Sequence, residues 1–276
     1  MTKLEELQAH LKALGPVAVA VSGGVDSMTL AWIAHRVNPR SQIYHALSPA
    51  VPAQATERVQ KYAQLESWNL HLINAGEIDD PDYVANPVNR CYFCKTNLYD
   101  TVTGHTALTV VSGTNTDDLG DYRPGLSAAK EHQVRHPYVD TGIDKACLRD
   151  IARSLGLNDL SDLPAAPCLS SRVTTGIAID ARLLPVINKV EQALWAALAN
   201  QLPLEGIRCR IRPDGVVIQL QSDAEVQMDT GYARDAVRTA RAILQDNGFS
   251  DLSRSVSVEP YERGSAFLIE TLQVDQ

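Results

Sequence analysis

Two rhythms of apolar and polar positions run along this chain. Continuous apolar runs of strand length, Val17–Val21, Ile43–Leu47 and Leu108–Val111, are separated by stretches of helical spacing around Met28–Val37, Ala55–Trp68 and Asp144–Leu155. Short runs without a polar gap suit strands buried on both faces, and their alternation with helices predicts crossover units. The expected architecture is therefore α/β, a doubly wound parallel sheet. Asp144 is placed to cap its helix and Gly156 to end it, with Arg149 and Arg153 toward the negative C-terminal end.

The rhythm changes after Leu163. Two prolines and two serines in Leu163–Arg172 disfavour either regular element, so the domain junction is expected just beyond, giving domains 1–175 and 176–276. From Asp180 a helical pattern runs to about Asn200. Strands Gly206–Arg212 and Val216–Gln221 then flank an Asp214-Gly215 hairpin turn. A helix near Ala233–Asn247, ended by Gly248, and a strand near Ser255–Glu259 complete a smaller C-terminal α+β domain.

Composition narrows the functional classes. The 276 residues are 45% hydrophobic and 21% charged, as expected of a globular protein. The first residues resemble neither a signal peptide nor a transit sequence, and no apolar run approaches the ~20 residues of a membrane span, so a cytoplasmic protein without a membrane partner is expected. A formal charge of -8 argues against broad binding to nucleic acid. The five cysteines, Cys91, Cys94, Cys147, Cys168 and Cys209, form an odd set, and in a reducing compartment metal binding or catalysis is the expected use.

Two segments carry candidate chemistry. Ser22-Gly-Gly-Val-Asp-Ser27 follows the first strand and opens a helix: Gly23 and Gly24 let backbone N–H groups approach an anion, Ser22 and Ser27 add hydroxyls, and Asp26 suits Mg2+. A tight strand-to-helix turn would account for the glycines alone, but the full pattern favours a phosphate site. The spacing is neither that of a Walker loop nor that of a dinucleotide fold. Gly113-Thr-Asn-Thr-Asp-Asp118 follows the Leu108–Val111 run and belongs at the carboxyl edge of the sheet, where Asp117, Asp118 or Asp121 can bind Mg2+ and Arg123 can pair with a phosphate.

Arg90-Cys-Tyr-Phe-Cys-Lys95 sets two thiols three positions apart, a spacing that serves a metal centre or a redox disulfide. Cys168, in Pro167-Cys-Leu-Ser-Ser-Arg172, is a third possible ligand. Cys147 in an amphipathic helix and Cys209 in a strand read as packing. Arg208, Arg210 and Arg212 alternate along that strand and put three guanidinium groups on one face, suited to a phosphate or to an exposed basic edge.

Ser22–Ser27 matches the signature of PP-loop ATP pyrophosphatases, which implies cleavage of ATP between the α and β phosphates, transfer of AMP to a substrate oxygen, and a pyrophosphate held by Ser22, Gly23, Gly24, Asp26 and Ser27. Together with Arg90–Lys95, Gly113–Asp118, Asp121-Tyr-Arg-Pro-Gly125, Pro167–Arg172 and Arg208-Cys-Arg210, the chain resembles the LarE family of sulfur transferases. That resemblance implies ATP-dependent exchange of oxygen for sulfur on a carboxylate of pyridinium-3,5-biscarboxylic acid mononucleotide. It also implies adenine near Ala46 and Ser48, the substrate's phosphate on Arg208 and Arg210, an acid at Glu191 that a solvated helix face would explain as well, and a homo-oligomer. Members with cysteines at the positions of Cys91, Cys94 and Cys168 imply a [4Fe-4S] cluster as sulfur carrier. Members with only the cysteine at the position of Cys168 give up its own sulfur. Glu262 and Arg263 depart from the family pattern. A tRNA thiolase and a non-catalytic nucleotide-binding protein are the alternatives.

Overall fold

The computed structural model describes residues 1–120, 123–165, 167–222 and 231–261. They form two compact units, 1–83 with 89–165, and 84–88 with 167–261. Asp121, Tyr122, Glu262 and Arg263 lie outside the described residues.

In the first unit, strands β1 (Val17–Ala20), β2 (Gln42–Ala46), β3 (Asn69–Ile73) and β4 (Thr109–Ser112) form a wholly parallel sheet in the order β3-β2-β1-β4. Its main helices are α1 (Lys3–Leu14), α2 (Val25–Val37), α3 (Ala53–Glu66), α4 (Arg90–His105), α5 (Gly125–Glu131) and α6 (Lys145–Ser154). Val17, Val19 and Val21 join a core with residues of α1, α2, α3 and α6, whereas Ala18 and Ala20 join a second core with Tyr99 and Val102 of α4 and Ala128 and Ala129 of α5. Both parities of β1 are therefore buried, and each full side chain contributes about 1.5–3 kcal/mol of burial. That is why the run has no polar gap. Asp144 caps α6 through the Cys147 N–H at 2.8 Å, and Gly156 follows the helix at φ 77°, as the sequence suggests.

Sheet order positions the site. Chain progression reverses on either side of β1, so the loops leaving β1 and β4 diverge at a topological switch point, where such sheets bind ligands.

The second unit contains α7 (Leu183–Leu198), α8 (Gly231–Asp246) and the sheet β5 (Leu204–Arg212), β6 (Gly215–Ser222) and β7 (Val256–Pro260). β5 and β6 are the expected antiparallel hairpin, and β7 runs parallel to β6. Gly215 is required at the turn, since a Cβ there would lie 2.4 Å from the Ser255 carbonyl oxygen. Residues 84–88 belong here because Val84 and Asn86 accept backbone bonds from Ile179 and Gly176, while the buried Asn86 amide donates to the Thr174 and Ile177 carbonyls at 2.9 and 2.8 Å.

Candidate functional site

The turn after β1 is built from close approaches. Gly23 has φ 82°, and a Cβ on it would meet the Ala55 carbonyl oxygen at 2.7 Å, so both conformation and space require glycine. Arg58 reaches from α3 to the Gly23 carbonyl at 2.7 Å. Gly24 is the N-cap of α2 and supplies no side-chain cap, which leaves the first-turn N–H groups available to an anion. The Ser27 hydroxyl accepts the Ser22 N–H at 3.1 Å and lies 3.2 Å from the Ser22 hydroxyl, so the two serines brace the turn.

Behind the turn, His45 on β2 is fully buried. Its Nδ1 lies 2.9 Å from the Val21 carbonyl, which can only accept, so Nδ1 carries the hydrogen and Nε2 accepts from the Thr56 hydroxyl at 2.9 Å. Burial holds this imidazole below its ordinary pKa, and hence neutral.

The loop after β4 closes on the same turn. A Cβ on Gly113 would lie 2.7 Å from the Ser27 nitrogen and 2.8 Å from the Asp26 carbonyl carbon, so this glycine lets the second loop touch the start of α2. Asp26 gathers the rim: Lys145 Nζ contacts its two carboxylate oxygens at 2.5 and 2.7 Å, Asn115 donates at 3.4 Å, and the buried Tyr138 hydroxyl donates to its backbone carbonyl at 3.0 Å. Lys145 and Tyr138 were not singled out in the sequence. Nothing local marks them, because the contacts join residues more than a hundred positions apart.

Asp117 and Asp118 serve the loop's own geometry here. Asp117 accepts the Lys145 backbone N–H at 3.2 Å, Asp118 accepts the Asn115 N–H at 3.1 Å, and Arg123, expected at a phosphate, pairs with Asp118 at 2.8 Å. Among the described residues, no group of three or more His, Cys, Asp or Glu is arranged to hold a metal ion. Beyond the end of β2, Leu47, Ser48, Asn74, Glu77 and Ile78 help line a cleft of about 320 Å³, next to Ala46 where the resemblance puts adenine.

Cys91 and Cys94 occupy the first turns of α4, three positions apart and so on one face, Cys91 exposed and Cys94 half-buried. A Cβ on Gly125 would meet Lys95 Cγ at 3.0 Å and the Cys91 carbonyl oxygen at 3.5 Å, so α5 packs closely on this CxxC turn. Cys147 is half-buried against the core and its thiol is pushed up by burial, in keeping with a packing role.

In the second unit, half-buried Cys168 opens the short 3-10 turn Leu169–Arg172. Buried Arg172 fixes that turn: Nη1 donates to the Pro167 and Cys168 carbonyls at 2.6 and 3.1 Å, while Nε and Nη2 grip Glu191 at 3.0 and 2.9 Å. Glu191 also accepts the Cys209 N–H at 2.8 Å, and its side chain is only 12% exposed. The solvated helix face considered for Glu191 is thus replaced by a buried ion pair. Burial works against the Arg172 charge, but Glu191 outweighs it and holds the guanidinium above its ordinary pKa. Cys209 is fully buried, and burial pushes its thiol far up.

The three strand arginines share a face but have different partners. Arg210 is buried and donates to Gln219 and to the Ser171 carbonyl at 2.8 and 2.7 Å; Arg212 pairs with Glu259; Arg208 donates to the Ile207 carbonyl at 2.8 Å. Arg210 is therefore no exposed edge residue. Burial, reinforced by Arg172, lowers the pKa of Arg208 and Arg210.

No protein-family model matches the chain. Against protein slr1717 of Synechocystis sp. it is 39% identical over 208 residues, covering 73% of this chain and 76% of that protein. The chain belongs to the slr1717 family. It is also 26% identical over 225 residues to the pyridinium-3,5-bisthiocarboxylic acid mononucleotide synthase of Lactiplantibacillus plantarum, covering 79% of each. A protein of Methanosarcina mazei named "Probable tRNA sulfurtransferase" is 25% identical over 212 residues, 68% of this chain and 52% of that protein. These distant relatives support a PP-loop sulfurtransferase family. Among the described residues, no helix is long and apolar enough to cross a membrane.

Proposed function

We propose that this protein is an ATP-dependent sulfurtransferase of the PP-loop class, acting on a carboxylate of pyridinium-3,5-biscarboxylic acid mononucleotide. The observation that carries the reading is the uncapped start of α2 meeting Gly113 at the switch point of the sheet, in a chain related to proteins named for thiocarboxylate synthesis and tRNA sulfur transfer. The loop Ser22–Ser27 binds the β and γ phosphates, Gly113 lies against the same turn, and the cleft beside Ala46 and Ser48 takes the nucleoside.

The carboxylate oxygen attacks the α-phosphorus, the bond to the β-phosphate oxygen breaks, and pyrophosphate leaves. Sulfur then attacks the acyl carbon, and AMP departs with the original oxygen, leaving a thiocarboxylate. Adenylylation is needed because the free carboxylate has no adequate leaving group. Arg208, Arg210 and Arg212 hold the substrate's phosphate. Asp26, Asp117 and Asp118 would offer Mg2+ hard oxygen ligands, although in this structure they are not arranged around a common position.

Cys91, Cys94 and Cys168 are the proposed sulfur-delivering residues. Cys91 and Cys94, on one helix face, suit two ligands of a [4Fe-4S] cluster with Cys168 as the third, and such a cluster would supply a transferable sulfide when bound. Anaerobic purification tests both halves. Brown protein with about four irons per chain, sulfur gained by the mononucleotide in step with pyrophosphate release, and loss of both colour and transfer in Cys168→Ala are expected. Colourless protein in which Cys168 turns into dehydroalanine would replace the cluster by the cysteine's own sulfur. The function is wrong if wild type with ATP and the mononucleotide releases no pyrophosphate and transfers no sulfur. A tRNA thiolase, favoured by the Methanosarcina relative, would label tRNA instead.

A further inference from the structure

Arg58 on α3 donates from Nη1 to the Gly23 carbonyl at 2.7 Å, and no motif assigns it a role. Among the described residues this is the bond that holds the peptide linking Gly23 to Gly24, for the serine brace takes the Ser22 N–H and no acceptor takes the Gly24 N–H. The peptide is trans, so its C=O and N–H point to opposite sides. With the carbonyl turned to Arg58, the Gly24 N–H faces away from that guanidinium, at the N-cap of α2. Arg58 is itself half-buried. Burial works against its charge, and the Asp159 carboxylate, which accepts the Tyr62 hydroxyl at 2.5 Å, favours it.

Two physical points give this contact a purpose. Gly23 has to be glycine, at φ 82° with Ala55 against it, so the loop cannot be stiffened by a side chain of its own. Without Cβ atoms on either side, the Gly23–Gly24 peptide can turn over at low steric cost, and one orientation prevails only if something outside the loop holds it. The turned-over peptide would present its carbonyl oxygen where the N–H now points, and that partial negative charge would repel a phosphate. Resting on the ATP reading above, we propose that Arg58 is a positioning residue of the loop: it holds the Gly23 carbonyl so that the Gly24 N–H is directed at pyrophosphate, and does not touch the anion itself.

Calorimetric titration with inorganic pyrophosphate at constant ionic strength, paired with the Gly24 amide resonance of glycine-labelled protein, tests this. That resonance is identified by its loss in Gly24→Ala, where a Cβ would lie 3.6 Å from Ser22 Oγ, an ordinary contact. Wild type should bind pyrophosphate and shift the Gly24 amide. Arg58→Met, or Arg58→Ala should the first not fold, is expected to weaken binding about tenfold or more, the range of one charge-assisted hydrogen bond, and to lose most of that shift. Arg58→Lys, which can still donate to the carbonyl, should recover most of both. Wild-type affinity in a folded Arg58→Met overturns the proposal. So does weakened binding with the full Gly24 response retained, which would make Arg58 a general charge rather than the holder of this peptide. Either result leaves ATP use intact. If wild type binds neither pyrophosphate nor ATP, the ATP reading itself fails and takes this inference with it.

Discussion

The glycine turn after β1 and the Cys168 turn reach rigidity by opposite means. The first is made of small residues in close approach: Gly23 against Ala55, Gly113 against Ser27, and two serines bracing each other. The second is held by one long buried side chain, with Arg172 binding the carbonyls of Pro167 and Cys168 while Glu191 balances its charge. A site for a multiply charged anion must leave backbone N–H groups unspent, so it is shaped by absence of side chain. A turn that presents a single thiol needs no such opening and can be filled by a guanidinium. The contrast teaches that a turn can be preorganised either by close-packed glycines that keep backbone N–H groups open or by a buried arginine that fills it.

The largest effect is expected from the arginine-held turn. Arg172→Ala leaves Glu191 buried without its partner and should cost about 3–5 kcal/mol in urea denaturation. The apolar double variant Arg172→Met/Glu191→Leu should regain most of that stability while Cys168 alkylation becomes faster, because the turn has lost its clamp. Equal stability of Arg172→Ala and wild type would remove the distinction drawn here. Next comes Gly23→Ala on the glycine-built side, where a positive φ and a contact of 2.7 Å combine to cost about 2–4 kcal/mol. Pyrophosphate affinity should fall in that variant even below its melting range.

The smallest effect is a pH dependence. His45 is held neutral by burial, so its folded pKa lies below the unfolded value. Below about pH 6.5 the unfolded chain takes up a proton at this position that the folded protein resists, and stability falls as pH falls, by at most about 1.4 kcal/mol per pH unit. His136, also lowered mainly by burial, has the same sign. In a His45→Gln variant the melting temperature should decline less steeply between pH 7 and pH 5, and an unchanged slope would show that the imidazole behind the turn does not titrate with folding.

Local signals made much of this fold legible. The gapless apolar run at Val17–Val21, the Asp144 cap, Gly156 and the Asp214-Gly215 hairpin each act within a few residues, and the structure has the corresponding elements. Strand β3 is not evident from sequence, because Asn69 and His71 interrupt its apolar residues and leave no continuous apolar run. Helix α4 was hidden by its cysteines, aromatics and threonines, which weaken its amphipathic pattern. The glycine turn at Ser22–Ser27 after β1 and the place of Gly113 after β4 are legible from sequence. The partners of Asp26 and Glu191 were not, since those pairs form only when distant segments fold together.

The excursion of residues 84–88 has a practical consequence. The polypeptide enters the second unit, returns, and enters it again after residue 166, so no single cut separates the two units. Cleavage there would strip the buried Asn86 amide of its acceptors at Thr174 and Ile177, and the released N-terminal fragment would carry a five-residue orphan whose polar groups must find water. Dividing this protein along its two units therefore requires three coordinated breaks, around 83, 89 and 166.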